Sequence, residues 1–163
     1  MLKKAILITA LLSTSAFAGS WSHIDFPKSN STYHSISTMD TSGEVKIDFA
    51  CLSGLDTKVL TLSGVMTDET EGTLKFYPSS KDKIKKVIEG NFKVSEDGRL
   101  DVLIGETEES IMSYFKLLHE VNLELKTKNN QNYHFTFNLK GSSKNLNIFE
   151  SKCDKMNAKK MIK

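Results

Sequence analysis

Cys51 and Cys153, the histidines at 23, 34, 119 and 134, and two runs of carboxylates are the side chains of this 163-residue sequence whose types could do chemistry. Two cysteines far apart in the chain form one structural disulfide in an oxidising compartment; the alternative is a pair of buried free thiols. None of the histidines stands in a common zinc-ligand motif, and the expectation for such scattered residues is a surface imidazole. His134 in particular alternates against Tyr133 and Phe135 and points outward. Asp68, Glu69 and Glu71 form one acidic run and Glu106, Glu108 and Glu109 the other. A pair of such carboxylates is what a glycosidase uses as acid and base. The first run falls in a turn, however, and the second suits the positive end of a helix, so each has a structural explanation. With no Gly-x-Ser-x-Gly elbow and no glycine-rich phosphate loop, the expectation is a non-enzyme with no catalytic residue, metal or cofactor.

The chain opens with an address. Lys3 and Lys4 precede an apolar run from Ala5 to Leu12, and Ala16-Phe17-Ala18 is a small-x-small cleavage site. This pattern predicts a secretory signal peptide over residues 1–18, cleaved after Ala18, with a mature domain over 19–163 that is periplasmic or secreted and has no membrane anchor. The leader holds two lysines and no acidic residue, so cleavage brings the 22 basic residues down to the number of acidic ones, 20. A neutral domain with a single arginine, Arg99, is poorly suited to nucleic acid, whose phosphates call for clustered Lys and Arg.

The elements that must position these residues are mostly strands. In Val45 to Cys51 the odd positions are apolar, so Cys51 lies on the core face of a strand; Lys58 to Met66 returns from it as a hairpin. Trp21 to Phe26 and Thr32 to Met39 are further short strands on either side of a turn starting at Pro27, and Thr73 to Tyr77 is another. Ile88 to Val94 and Leu100 to Ile104 flank an Asp-Gly turn, and Val121 to Leu125 pairs with Tyr133 to Leu139. Lysines at 81, 83, 85 and 86 suggest a solvated face or a blunted edge strand. Helices are expected over about 107–119 and 143–154. The second is capped by Ser142 or Ser143 and aligns Leu146, Phe149 and Cys153 on one face. Both thiols then face inward, and a bridge between them closes a loop of about 100 residues, worth roughly 4 to 5 kcal/mol in the chain-entropy model. The fold class that follows is mainly β, an antiparallel β-sandwich or curved sheet with two covering helices and a basic C-terminal tail.

Trp21 near the mature start, Cys51 after an alternating strand, and the closing string Phe135-Thr136-Phe137-Asn138-Leu139-Lys140-Gly141-Ser142-Ser143 before Leu146 resemble the invasion-associated locus B group of bacterial periplasmic proteins. The matching stretch runs from Ile111 to Phe149; the closely spaced additional cysteines common in that group are missing. The resemblance implies a helix-covered β-sandwich and an envelope-associated, host-interaction or virulence role without an assigned chemistry. Without a catalytic set, the functional expectation is an exported binding module for an unidentified protein or envelope component. Alternatives are an inhibitor or immunity protein directed at a toxin or cell-wall hydrolase, and an envelope-acting enzyme without a recognisable motif. The candidate contact residues are Ser53 and Leu55 in the loop 53–57 and Asp68, Glu69 and Glu71 in the acidic turn 67–72, which suits a basic partner.

Overall fold

Among the described residues, period-two patterning produces nine strands and 3.6-residue patterning two helices. The computed structural model describes residues 20–28, 31–52, 58–65, 67, 69–104 and 108–158. The strands are β1 (Trp21–Lys28), β2 (Ser31–Met39), β3 (Lys46–Leu52), β4 (Lys58–Ser63), β5 (Glu71–Pro78), β6 (Ile88–Val94), β7 (Leu100–Ile104), β8 (Glu120–Thr127) and β9 (Asn132–Asn138). Helix α1 (Glu108–Leu117) precedes β8, and α2 (Ser142–Ala158) follows β9. All pairings are antiparallel within one sheet, in the order β1-β2-β3-β4-β7-β6-β5-β8-β9. Of the two expected architectures, the curved sheet is the one formed. Its curl brings distant parts of the order together: the Thr41 N–H, in the β2–β3 turn, donates to the Thr136 carbonyl of edge strand β9 at 2.7 Å.

The seam at the middle of the sheet is short, since β4 and β7 pair only at Thr61 with Asp101 and Leu62 with Leu100. Strand β4 stops at Ser63 instead of reaching Met66. Gly64 has φ +90°, and a Cβ there would lie 2.1 Å from the Glu44 carbonyl oxygen, so the chain turns where only glycine fits. At the other end of the sheet β1 runs through Pro27 to Lys28, past the expected turn. An edge strand tolerates proline because its outer N–H row has no partner to lose. The lysine run is neither an edge nor a strand: Lys81, Lys83, Lys85 and Lys86 are exposed in the connection from β5 to β6.

Inward-facing residues of both halves, among them Ile36, Phe49, Leu62, Phe76, Phe92, Leu123 and Phe137, form one core with Ile111, Met112 and Phe115 of α1 and Leu146 and Phe149 of α2. Phe115 packs edge-to-face on Phe49 and on Phe76. The expected cap of α2 does not form, because Ser142 is the first helical residue and its hydroxyl donates to the Phe115 carbonyl at 2.9 Å, tying the two helices together. Gly141, with φ +80°, makes the turn into α2 instead.

Candidate functional site

Cys51 of β3 and Cys153 of α2 are joined, with Cα atoms 6.0 Å apart and both residues buried. Beside this bridge lies a polar cluster that the sequence pattern did not announce. Alternation along β1 puts Trp21, His23 and Asp25 on the face toward α2, and the register sets His34 of β2 opposite both Asp25 and Cys51. His34 is 1 % exposed, which overturns the surface reading for this histidine. Its Nδ1 pairs with Asp25, and its ring stacks between His23 and Phe149, with centroids at 5.8 and 5.4 Å. Asp25 also accepts from Lys152 Nζ at 2.9 Å, and His23 Nε2 meets the Asn145 side-chain oxygen at 3.0 Å. Asn145, Phe149, Lys152 and Cys153 recur at helical spacing, so one face of α2 makes all these contacts.

The cluster is incompletely satisfied. Among the described residues the buried atoms Trp21 Nε1, His23 Nδ1, His34 Nε2 and Thr38 Oγ1 have no hydrogen-bond partner. A buried polar atom left without a partner costs about 1 to 3 kcal/mol, so the disulfide beside this cluster has real stability to add. Burial lowers the His34 pKa below its ordinary 6.5, partly offset by Asp25, while Lys152 and His23 also disfavour its charge. As pH falls past 6.5 the unfolded chain therefore takes up a proton that the native state resists, and stability must decline. A second decline follows near and below pH 4. Asp25 is held below 3.8 chiefly by Lys152. Asp40 and Asp82 are also held below it, burial being outweighed by the hydrogen bonds each accepts. Urea midpoints measured from pH 7.5 to 3 should show both phases, and His34→Gln should remove the first. Equal slopes for the two proteins between pH 6.5 and 5 would refute the assignment.

An opening lies at the other end of α2. A cleft of about 550 Å³ is enclosed by the β5–β6 connection, the α1–β8 corner and the β9–α2 turn. Leu118 and Leu139 are its buried apolar lining; Lys81, Lys116 and Lys140 supply cationic groups, and Glu120 one carboxylate. Lys116 is shared with Glu150 at 2.5 Å. His119 projects from the corner with its side chain 93 % exposed, while its Nδ1 and backbone N–H both donate to the buried carboxylate of Asp82, at 2.9 and 3.1 Å. Asp82 thus fixes the imidazole and leaves Nε2 toward solvent. The pair holds an imidazole whose Nε2 faces solvent as a hydrogen-bond donor or acceptor. Asp82 was hidden in the sequence by the four lysines around it; its only signal was a carboxylate interrupting a basic run.

The expected contact residues are dispersed. Ser53, Leu55 and Asp68 lie outside the described residues, as does Glu106. Glu71 opens β5 and pairs with Lys128, and Glu69 accepts from the Asn129 amide, so the turn before β5 is bound to the β8–β9 turn. His134 is exposed, as its alternation required. Among the described residues no group of three or more His, Cys, Asp or Glu is placed to hold a metal ion, and no helix is long and apolar enough to cross a membrane. Compared with known proteins, the chain matches no family model, no curated protein and no solved structure.

Proposed function

We propose that this is an exported, non-enzymatic binding protein of the bacterial envelope, which engages an acidic or hydrogen-bond-accepting group of a macromolecular partner in the cleft beside α2. The leader over 1–18 and the Cys51–Cys153 bridge support export to an oxidising compartment. The observation that carries the binding reading is the Asp82-fixed His119 standing with Lys81 and Lys140 around an apolar lining, a few convergent polar groups in an otherwise undemanding concavity. The acidic turn is a weaker contact surface than its composition suggested, since Lys128 and Asn129 already engage two of its side chains.

The test is retention of partner from envelope extract by immobilised mature protein. Lys81→Gln/Lys140→Gln should retain about tenfold less, a loss typical of interfacial charge removal. Asp68→Ala/Glu69→Ala/Glu71→Ala should behave like the parent. Equal retention by the lysine variant removes the cleft from the proposal, and turnover of a peptidoglycan or peptide substrate by pure mature protein removes the non-enzymatic reading.

A further inference from the structure

On the sheet face turned away from the helices, β1 to β4 carry a second concavity, and it has a different chemistry. The residues opposite one another there are Ile24 with Ser35, Ser37 with Asp48, and Lys46 with Ser63. Ser35 and Asp48 are only 2 % and 6 % exposed, so small and buried side chains form a floor, while Ile24 and Tyr33 rise on one side and Lys46 and Arg99 on the other. The trough holds about 320 Å³. Arg99, the single arginine of the chain, reaches it from the β6–β7 turn, where Asp97 holds the guanidinium at 2.5 Å.

We infer that this trough is a binding site for a short neutral glycan. Its charges are internally balanced: Asp48 Oδ2 takes Lys46 Nζ at 3.0 Å and the Ser63 hydroxyl at 3.5 Å, and Asp97 offsets Arg99, so little net field remains to draw an ion. Among the described residues the contacts to Asp48 fall on Oδ2, so Oδ1, on a carboxylate anchored in the floor, is placed to accept from a ligand hydroxyl. Ser35 and Ser63 add hydroxyls, and Lys46 and Arg99 add N–H donors. Against this polar side stands the apolar wall of Ile24 and the Tyr33 ring. A pyranose presents the matching pair of surfaces, a C–H face for an aromatic or aliphatic wall and an edge of hydroxyls that both donate and accept. A bare anion would leave the apolar wall unused, and a hydrocarbon would strand Asp48.

The inference rests on the reading of the protein as an exported binding module and supplies it with a ligand class at a site separate from the cleft. Triacetylchitotriose, maltotriose and trialanine, titrated calorimetrically into the mature protein, are the probes. At least one trisaccharide should bind saturably and shift the backbone amide resonances of Tyr33, Ser35 and Asp48 in the native protein, a readout that needs no variant. Tyr33→Ala and Arg99→Gln should each weaken that binding about tenfold, while Lys81→Gln/Lys140→Gln leaves it unchanged. Partner retention unchanged in Lys81→Gln/Lys140→Gln, with glycan binding intact, would discard the cleft and keep the trough. No saturable binding of either trisaccharide, preference for trialanine, or glycan binding that ignores Tyr33 and Arg99 would overturn the inference.

Discussion

Cys51→Ala should destabilise the protein by roughly 2 to 5 kcal/mol, as removal of a native bridge does in small exported domains. The bridge spans a sequence separation of 102, so in the entropic account the open chain regains most of its freedom. Location sharpens the expectation. The bond joins β3, in the first half of the sheet, to the last helix, and it stands beside a seam in which, among the described residues, four buried polar atoms lack partners. Without the bond α2 is held by Leu146 and Phe149, by the Asp25–Lys152 and Lys116–Glu150 pairs and by the Ser142–Phe115 and His23–Asn145 hydrogen bonds, against that cost. Cys51→Ala/Cys153→Ala should lose nearly the same amount as the single variant, because a lone buried thiol contributes little more than a methyl group. Denaturant unfolding with and without reductant measures both effects. A loss under about 1 kcal/mol would mean that packing alone seats α2, and quantitative alkylation of the native protein without reductant would deny the bridge.

The strands, the two helices and the cysteine pair were legible because each rests on a local repeat: Ile47-x-Phe49-x-Cys51 fixes a face by itself, and so does Leu146-x-x-Phe149. Sheet order was not legible. Nothing local says that β4 pairs with β7 while β5 lies between β6 and β8, since that choice depends on how the curl brings apolar faces together. The same holds for the end of β4, decided by a carbonyl twenty residues upstream of Gly64.

Functional groups were harder to read, and for one reason. His34 and His119 look alike in sequence, yet one is sealed beneath Phe149 and the other is almost wholly exposed on a buried Asp82. Partners of His34 come from residues 23, 25 and 149, and those of the trough from five elements or turns. Such constellations carry no spacing rule. What the sequence did offer was compositional oddity, a single arginine and one aspartate within a lysine run, and both oddities turn out to mark concave surfaces.

Phe115→Ala should be the most damaging change in the core. Phe115 is fully buried and makes edge-to-face contacts with Phe49 of β3, at 5.6 Å and 87°, and with Phe76 of β5, at 5.4 Å and 80°. Those two strands belong to opposite halves of a sheet whose halves meet through only two paired positions, so the ring of one helix supplies packing that the β4–β7 ladder does not. Truncating a buried Phe to Ala costs about 3 to 5 kcal/mol through lost transfer and a residual cavity. The two aromatic contacts place the variant toward the upper end of that range. Because a domain of this size has only about 5 to 15 kcal/mol in total, the variant should sit near its unfolding threshold. Phe115→Leu, which refills part of the volume, should recover about half of the loss. If the ring is what unites the halves, hydrogen exchange in Phe115→Ala should lose protection first at Thr61 and Leu62, while the β2–β3 ladder stays protected. Uniform loss of protection across the sheet, or a midpoint shift equivalent to less than about 1 kcal/mol, would make Phe115 one core residue among many.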